Sequence, residues 1–462
     1  MKKIILTSLA SLAGLLLVLA LLAPTLLGFS VTQLGDAVRV ATGMGAKLAC
    51  SGYYVSGFSP SRNLEDLASY SPANRLLDLE YGNRRVTATM FGMGETSATY
   101  RPGLGCTLDI GDTSALDRVS VASSSAESTD DNTVSADENG RAQEWPAGSA
   151  ATQIDAKLQH TLDEILAADN QSGLNTRALL VVQDGKLIAE AYGDRIAPDT
   201  QLLGWSMGKS VTAMMVGRLQ ALNPKLDITT PLFPEWTDER NQISLENLLQ
   251  MSSGLDFDET YAPGSDATQM LFNAHSASGV ALQSPLAHKP GAYFSYSSGT
   301  TNLLARWIYQ QVGGSPQANV DFFQQQILTP LGMRNTTFEM DAAGVFVGSS
   351  YIYASARDWA RLGLLMLNDG EWNGERLLPE GWVQAASSPN QSDNDPAYGY
   401  QFWLNRGGET SLYPTLPVDS YFMSGNRSQV VMVSPSTNTV IVRLGWTAGK
   451  YPTEANFARL LP

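Results

Sequence analysis

Gly204-Trp205-Ser206-Met207-Gly208-Lys209-Ser210 places a serine and a lysine three positions apart. That spacing is just under one helical turn, so on a helix the two side chains share a face and the amine reaches the hydroxyl. A serine is a weak nucleophile until a neighbouring base takes its proton, and a lysine serves as that base only where its surroundings favour the neutral amine. The pair therefore points to acyl transfer. Downstream, Val211, Met214, Met215 and Leu219 fall on one helical face, which predicts a buried helix whose methionines are ordinary core residues.

Two other patterns overlap the same residues. Gly204-x-Ser206-x-Gly208 fits a nucleophile elbow, in which the serine tops a strand-to-helix turn and a histidine follows late in the chain. The histidines here are His160, His275 and His288, none near the C-terminus, and residues 199–203 make a poor buried strand. A phosphate loop requires four residues between its first glycine and Gly-Lys-Ser, whereas Gly204 and Gly208 enclose three. Both alternatives fit less well than the serine–lysine pair.

The chain has 462 residues, 43% of them apolar, and a formal charge of −15. Its length allows up to about three domains. An acidic chain without a basic stripe is a poor match for nucleic acid. Met1-Lys2-Lys3 precedes an uncharged apolar run from Ile4 to about Phe29, long enough for a bilayer-spanning helix of about 20 residues. With lysines ahead of it and no small-x-small cleavage site behind, residues 1–30 read as a signal anchor that leaves the remainder in the periplasm or outside. A cleaved signal and release to the periplasm is the alternative. The two cysteines, Cys50 and Cys106, then meet an oxidising compartment and read as one disulfide, with two buried thiols as the other reading. Three scattered histidines and no Cys-x-x-Cys predict no metal site, and no organic cofactor is expected.

Residues 31–111 read as a small accessory region, with a short helix over 36–47 and strand-like alternation over 84–89 and 99–109. Residues 112–147 turn to Ser, Asp, Glu, Asn and Thr, a composition that buries too little apolar surface to offset its ordering entropy and predicts a flexible linker. The catalytic unit then spans 148–462. It opens with helical spacing over 153–168 and a hairpin around Asp184-Gly185, and it closes with strand-like runs at 429–433 and 439–444 and a helix over 453–461. Hairpins at opposite ends of a domain suit one antiparallel sheet assembled from both ends, with a mostly helical insertion between them. The expected class is α/β (α+β).

Further phrases occur in order after Ser206-x-x-Lys209: Leu248-Leu249-Gln250-Met251-Ser252-Ser253-Gly254-Leu255, Pro290-Gly291-x-x-Phe294-x-Tyr296-Ser297-Ser298, Pro330-Leu331-Gly332-Met333, Ala354-x-x-Arg357-Asp358-Trp359-Ala360-Arg361 and Tyr398-Gly399-Tyr400-x-Phe402-Trp403. Together they resemble the serine β-lactamase-related superfamily of class C β-lactamases, penicillin-binding proteins, related esterases and 6-aminohexanoate-dimer hydrolase. The resemblance implies a β-lactamase/transpeptidase-like fold, Ser206 as nucleophile, and Lys209 with Tyr296 as general base and acid. It also implies an oxyanion hole from the backbone amides of Ser206 and Asn426, the latter following Met423-Ser424-Gly425 in place of the family's Lys-Thr-Gly. A single such donor is worth about 100- to 1,000-fold in rate.

Two departures bear on substrate. Ser298 stands where the family has the asparagine of Tyr-x-Asn, and Met423 stands where it has the cation that holds the β-lactam carboxylate. Both resemble the esterase and 6-aminohexanoate-dimer hydrolase branch, as does Phe257-Asp258-Glu259-Thr260-Tyr261. Tyr261, Ser298, Gly425 and Trp205 are the expected substrate contacts; Glu339 and Asp341 are read as solvated or structural, with substrate contact as the other reading. The expectation is a serine hydrolase of a small ester or amide. The alternatives are a β-lactamase or D-Ala-D-Ala carboxypeptidase, and a non-catalytic penicillin-binding-like sensor or scaffold.

Overall fold

The helix expected over 36–47 is longer and more deeply buried than its sequence suggests. In the computed structural model, which describes residues 30–121, 144–148, 154–226, 232–394, 396–406 and 411–462, helix α1 runs Leu34–Tyr54. Its glycines look like helix breakers but serve close packing: a Cβ at Gly43 would lie 2.4 Å from the carbonyl oxygen of Phe272. An antiparallel sheet lies against it, in the order β1 (Leu77–Gly82), β2 (Arg85–Met90), β3 (Met93–Arg101) and β4 (Gly105–Leu108). A disulfide joins Cys50 of α1 to Cys106 of β4.

The 31–111 region shares one hydrophobic core with the rest of the chain. A buried polar cluster marks the junction. Lys47 Nζ donates to the Glu339 carboxylate and to the Cys106 carbonyl. Glu339 also accepts from the Ser51 hydroxyl at 2.8 Å and from the Cys106 amide at 2.6 Å. Burial pushes the Lys47 amine down and the Glu339 carboxyl up, and each partner opposes the other's shift. Glu339 is thus a structural residue.

Of the 112–147 stretch, residues 122–143 lie outside the described residues, but both flanks are packed. Leu116 is buried, and Gln317 holds the backbone of Ser120 at both its N–H and its carbonyl. Trp145 is buried under the Arg361 guanidinium, which also binds the carbonyls of Pro146 and Gly148. The proposed anchor over 1–30 lies outside the described residues save Ser30. Among the described residues no helix is long and apolar enough to cross a membrane.

The hydrolase unit begins with α2 (Ala156–Gln171), capped by Asp155. It continues with the hairpin β5 (Thr176–Gln183) and β6 (Lys186–Tyr192), a short strand β7 (Leu202–Leu203), and the buried helix α3 (Met207–Leu222). The helical middle includes α4 (Asp266–Phe272), α5 (Ala277–Gln283) and α6 (Ser298–Gln311). Strand β9 (Ile352–Ala354) pairs with β7 on one side and with β8 (Thr336–Phe338) on the other, and α7 (Ala356–Leu367) packs on the main sheet. Strands β10 (Trp403–Leu404), β11 (Tyr421–Gly425), β12 (Gln429–Ser434) and β13 (Thr439–Gly445) complete that sheet. Its order is β10-β11-β12-β13-β5-β6, with every neighbouring pair antiparallel. The C-terminal hairpin therefore pairs directly with the N-terminal one, as the pattern at the two ends predicts, and α8 (Thr453–Ala458) covers the sheet's outer face.

Asp341 ties the middle of this unit together. Its carboxylate accepts the Ala277 amide at 2.8 Å, at the start of α5, and the Val345 amide at 3.0 Å. Burial pushes its carboxyl up to about 6, against the pull of those backbone donors. Because the folded chain holds this proton more tightly than the unfolded chain, the contribution is fully present below about pH 4 and is lost as pH rises through about 6. A shift of this size corresponds to about 3 kcal/mol. Asp341→Asn is expected to remove that slope from the pH dependence of unfolding free energy between pH 4 and 6, measured by denaturant titration; an unchanged slope would assign it to another group.

Candidate active site

Ser206 is delivered by a strained turn. Trp205 has φ +49, a left-handed conformation that costs a non-glycine residue roughly 1–2 kcal/mol. The chain can then leave β7, turn sharply and start α3 with Ser206 as the residue before its first turn. Strand β11 closes on this turn from the side. A Cβ at Gly425 would lie 2.1 Å from the Gly204 carbonyl oxygen, so only glycine lets the two backbones approach. Asn426, exposed, follows at once at the end of β11.

Lys209 is 1% exposed, and its nitrogen lies within hydrogen-bonding distance of three oxygens. They are Ser206 Oγ at 3.0 Å, Ser298 Oγ at 2.9 Å and the Ser349 carbonyl at 3.3 Å. The spacing on α3 thus brings amine and hydroxyl together, as the helical geometry requires. Tyr296 is close in a different way. The Lys209 nitrogen lies 4.8 Å from the centroid of its ring, while the lysine's three hydrogen bonds go elsewhere. Tyr296 itself stacks on Trp403 at 5.3 Å and meets Tyr398 edge-on at 6.0 Å, so an aromatic wall fixes it beside the amine.

Ser298, expected at the substrate, is fully buried and bonds Lys209. Its partner is a residue that the sequence did not single out. Glu259 accepts from Ser298 Oγ at 2.5 Å and from the Ser298 amide at 2.7 Å, at the first turn of α6. A carboxylate there is favoured by the free amides and dipole of the helix N-terminus. Glu259 also accepts from the Tyr261 hydroxyl at 2.9 Å. Burial of that hydroxyl, followed by the Glu259 charge, pushes Tyr261 well above the ordinary phenol range, which keeps it a neutral donor. Tyr261 as a whole is 41% exposed. A glutamate two positions before a tyrosine in a loop carries no sequence signature; its function depends on folding back onto Ser298.

Trp205 needs correction as a substrate contact. It is 6% exposed, with its ring 6.1 Å from Tyr351, 6.2 Å from Tyr70 and 6.5 Å from Trp446. It packs beneath the nucleophile, because the strained turn that lifts Ser206 drives the neighbouring side chain inward. Met423 is likewise fully buried and presents nothing to a ligand. His288 stacks on Tyr293 at 4.3 Å, and its backbone carbonyl lies against Gly254. Among the described residues no cluster of His, Cys, Asp or Glu could hold a metal ion.

A helix-flanked antiparallel sheet with a serine–lysine pair at the start of its central helix defines the architecture of the β-lactamase and transpeptidase-like hydrolases. Residues 155–460 match the beta-lactamase family, and the chain belongs to it. Over 286 residues it is 26% identical to the 6-aminohexanoate-dimer hydrolase of Paenarthrobacter ureafaciens, covering 58% of this chain and 72% of that one. Two solved structures share the fold. A candidate 6-aminohexanoate-dimer hydrolase from Bacillus anthracis superposes with a TM-score of 0.55 at 20% identity, covering 67% of this chain and 85% of the other. A family VIII carboxylesterase gives 0.53 at 12% identity, covering 67% and 98%. The protein is a hydrolase of this superfamily.

Proposed function

We propose that the protein is a serine hydrolase that cleaves a small ester or amide through an acyl-enzyme on Ser206. The observation that carries this reading is the buried Lys209 amine 3.0 Å from Ser206 Oγ, held from two other directions by Ser298 and the Ser349 carbonyl. At that distance a proton passes between oxygen and nitrogen without rearrangement. Ser206 Oγ attacks the substrate carbonyl carbon as its proton moves to the Lys209 and Tyr296 pair. The oxygen that gains charge is met by the Ser206 and Asn426 amides. The same pair then protonates the departing alkoxide or amine, and a water molecule that it activates releases the acid from Ser206.

Substrate choice follows from what stands at position 423. Met423 supplies no cation for a β-lactam or peptide carboxylate, and the relatives of this chain include a dimer hydrolase and a carboxylesterase. A short-chain nitrophenyl ester is expected to be hydrolysed readily and a chromogenic cephalosporin poorly. Rapid cephalosporin turnover would favour a β-lactamase, and turnover of neither would favour a sensor or scaffold. The disulfide fits an oxidising compartment, which supports the hydrolase unit lying outside the cytoplasm, with residues 1–30 either retained as an anchor or cleaved as a signal.

Glu259 positions this apparatus by fixing Ser298 against Lys209. Loss of one charge-assisted hydrogen bond is worth about 1.5–3 kcal/mol. Glu259→Gln is therefore expected to lower kcat about 10- to 100-fold with little change in KM, and Glu259→Asp to recover part of the loss. An unchanged kcat would remove Glu259 from the mechanism.

A further inference from the structure

The first turns of α1 lie between two surface features. On one flank, a Cβ at Gly94 would lie 2.7 Å from Val38 Cγ1, and the Thr42 and Thr96 hydroxyls are 3.0 Å apart, which seats the β2–β3 turn on the helix. On the other flank, Gln33 Nε2 donates to the Pro263 carbonyl at 3.0 Å, and Asp36 Oδ2 lies 3.4 Å from the Cβ position of Gly264. Pro263 and Gly264 end the loop that carries Glu259 and Tyr261. One helix, about 10 Å across with its side chains, separates that loop from the turn.

The turn is built against local preference. Phe91 and Gly92 connect the paired residues Met90 and Met93, with φ values of +52 and +69. A two-residue hairpin loop with both φ values positive favours asparagine and glycine, and an aromatic residue is rarely found in the left-handed region. Phe91 is nonetheless there, 71% exposed, beside Met93 at 57%. Leu34, on the same face of α1 as Val38 and one turn nearer the N-terminus, is 52% exposed. Three large apolar side chains thus meet solvent at one end of the molecule. The uncharged run from Ile4 to Phe29 joins the described chain at Ser30, next to that end.

We infer that Leu34, Phe91 and Met93 form a lipid-contacting surface beside the anchor, which turns the loop of Glu259 and Tyr261 toward the bilayer so that the enzyme draws poorly soluble esters or amides from the membrane. This surface rests on the proposed anchor and on the proposed hydrolysis. Apolar contact drives it, as in interfacial segments that bury an apolar face at the headgroup boundary. Its charges do not favour anionic lipid: Asp36 and Arg39 pair with each other at 2.7 Å, Glu95 is exposed nearby, and the chain is acidic overall. Zwitterionic phospholipid is the occupant.

The test uses the full chain reconstituted in phosphatidylcholine vesicles. Cys50 and Cys106 are buried and disulfide-bonded, so a thiol dye attaches only at an introduced cysteine. With Phe91→Cys, nitroxide-labelled phosphatidylcholine is expected to quench the dye strongly. With Val418→Cys, at an exposed position beyond the opposite end of β11 from Asn426, quenching is expected to be weak. Equal quenching at the two positions would overturn the proposal. Phe91→Asp combined with Met93→Asp is expected to lower kcat/KM about tenfold for a long-chain nitrophenyl ester dissolved in the vesicles, and to leave hydrolysis of the water-soluble acetate unchanged. An equal loss on both esters, or none on either, would also overturn it. Flotation of the full chain reports the anchor and acetate turnover reports hydrolysis, so failure of either premise is read separately from failure of the surface.

Discussion

Ser206→Ala is expected to lower turnover of any ester or amide that the protein cleaves by about ten-thousand-fold or more, the scale seen when a nucleophile acting as part of a catalytic unit is removed. Labelling by a fluorophosphonate should disappear with it. The loss is large because the other serine hydroxyl on the Lys209 amine cannot take over. Ser298 lies as close to the Lys209 amine, at 2.9 Å, but it is fully buried and bound to Glu259, so it reaches no substrate. The fold should be unaffected, since Ser206 makes its side-chain hydrogen bond to Lys209 alone. Kinetics and labelling together check this, alongside a thermal melt. Equal labelling of the variant and the natural protein would remove Ser206 from the mechanism, and loss of His288 at little cost to turnover would complete the case against an elbow-type triad.

Lys47→Met should have the largest effect on stability. It leaves the Glu339 carboxylate fully buried with its cation gone, and breaking a buried ion pair from one side costs about 3–5 kcal/mol. Ser51 and the Cys106 amide would still bind Glu339, which keeps the cost within that range. The expected readout is a lower denaturant midpoint. Adding Glu339→Gln, which removes the stranded charge, should recover part of the loss. A single variant as stable as the natural chain would show that the pair contributes nothing. Because Glu339 begins the segment through Ser349 to β9, loosening it is also expected to reduce activity, through the Ser349 carbonyl that holds Lys209.

The sheet was legible because its strands carry their own pattern. The runs at 178–189 and 429–444 are β-rich and bounded by Asp184-Gly185 and by Ser434 to Asn438, so each hairpin follows from local chemistry. Helix α1 was legible only in part. Gly43, Gly45 and Gly52 weaken its helical signal, and the backbone atoms and side chains that make glycine necessary there come from distant residues. The packed flanks of the 112–147 stretch were hidden for a similar reason, since a few residues such as Leu116 and Trp145 dock on surfaces that only the folded domain provides.

By itself the sequence determined the spacing of Ser206 and Lys209 and the two terminal hairpins, because helical pitch, strand alternation and turn chemistry are local properties. Only the tertiary structure decided that Glu259 anchors Ser298, that Trp205 lies beneath the nucleophile and that Glu339 meets Lys47 inside the core. Those contacts join residues far apart in the chain. Their energies exist only once folding has excluded water from between them.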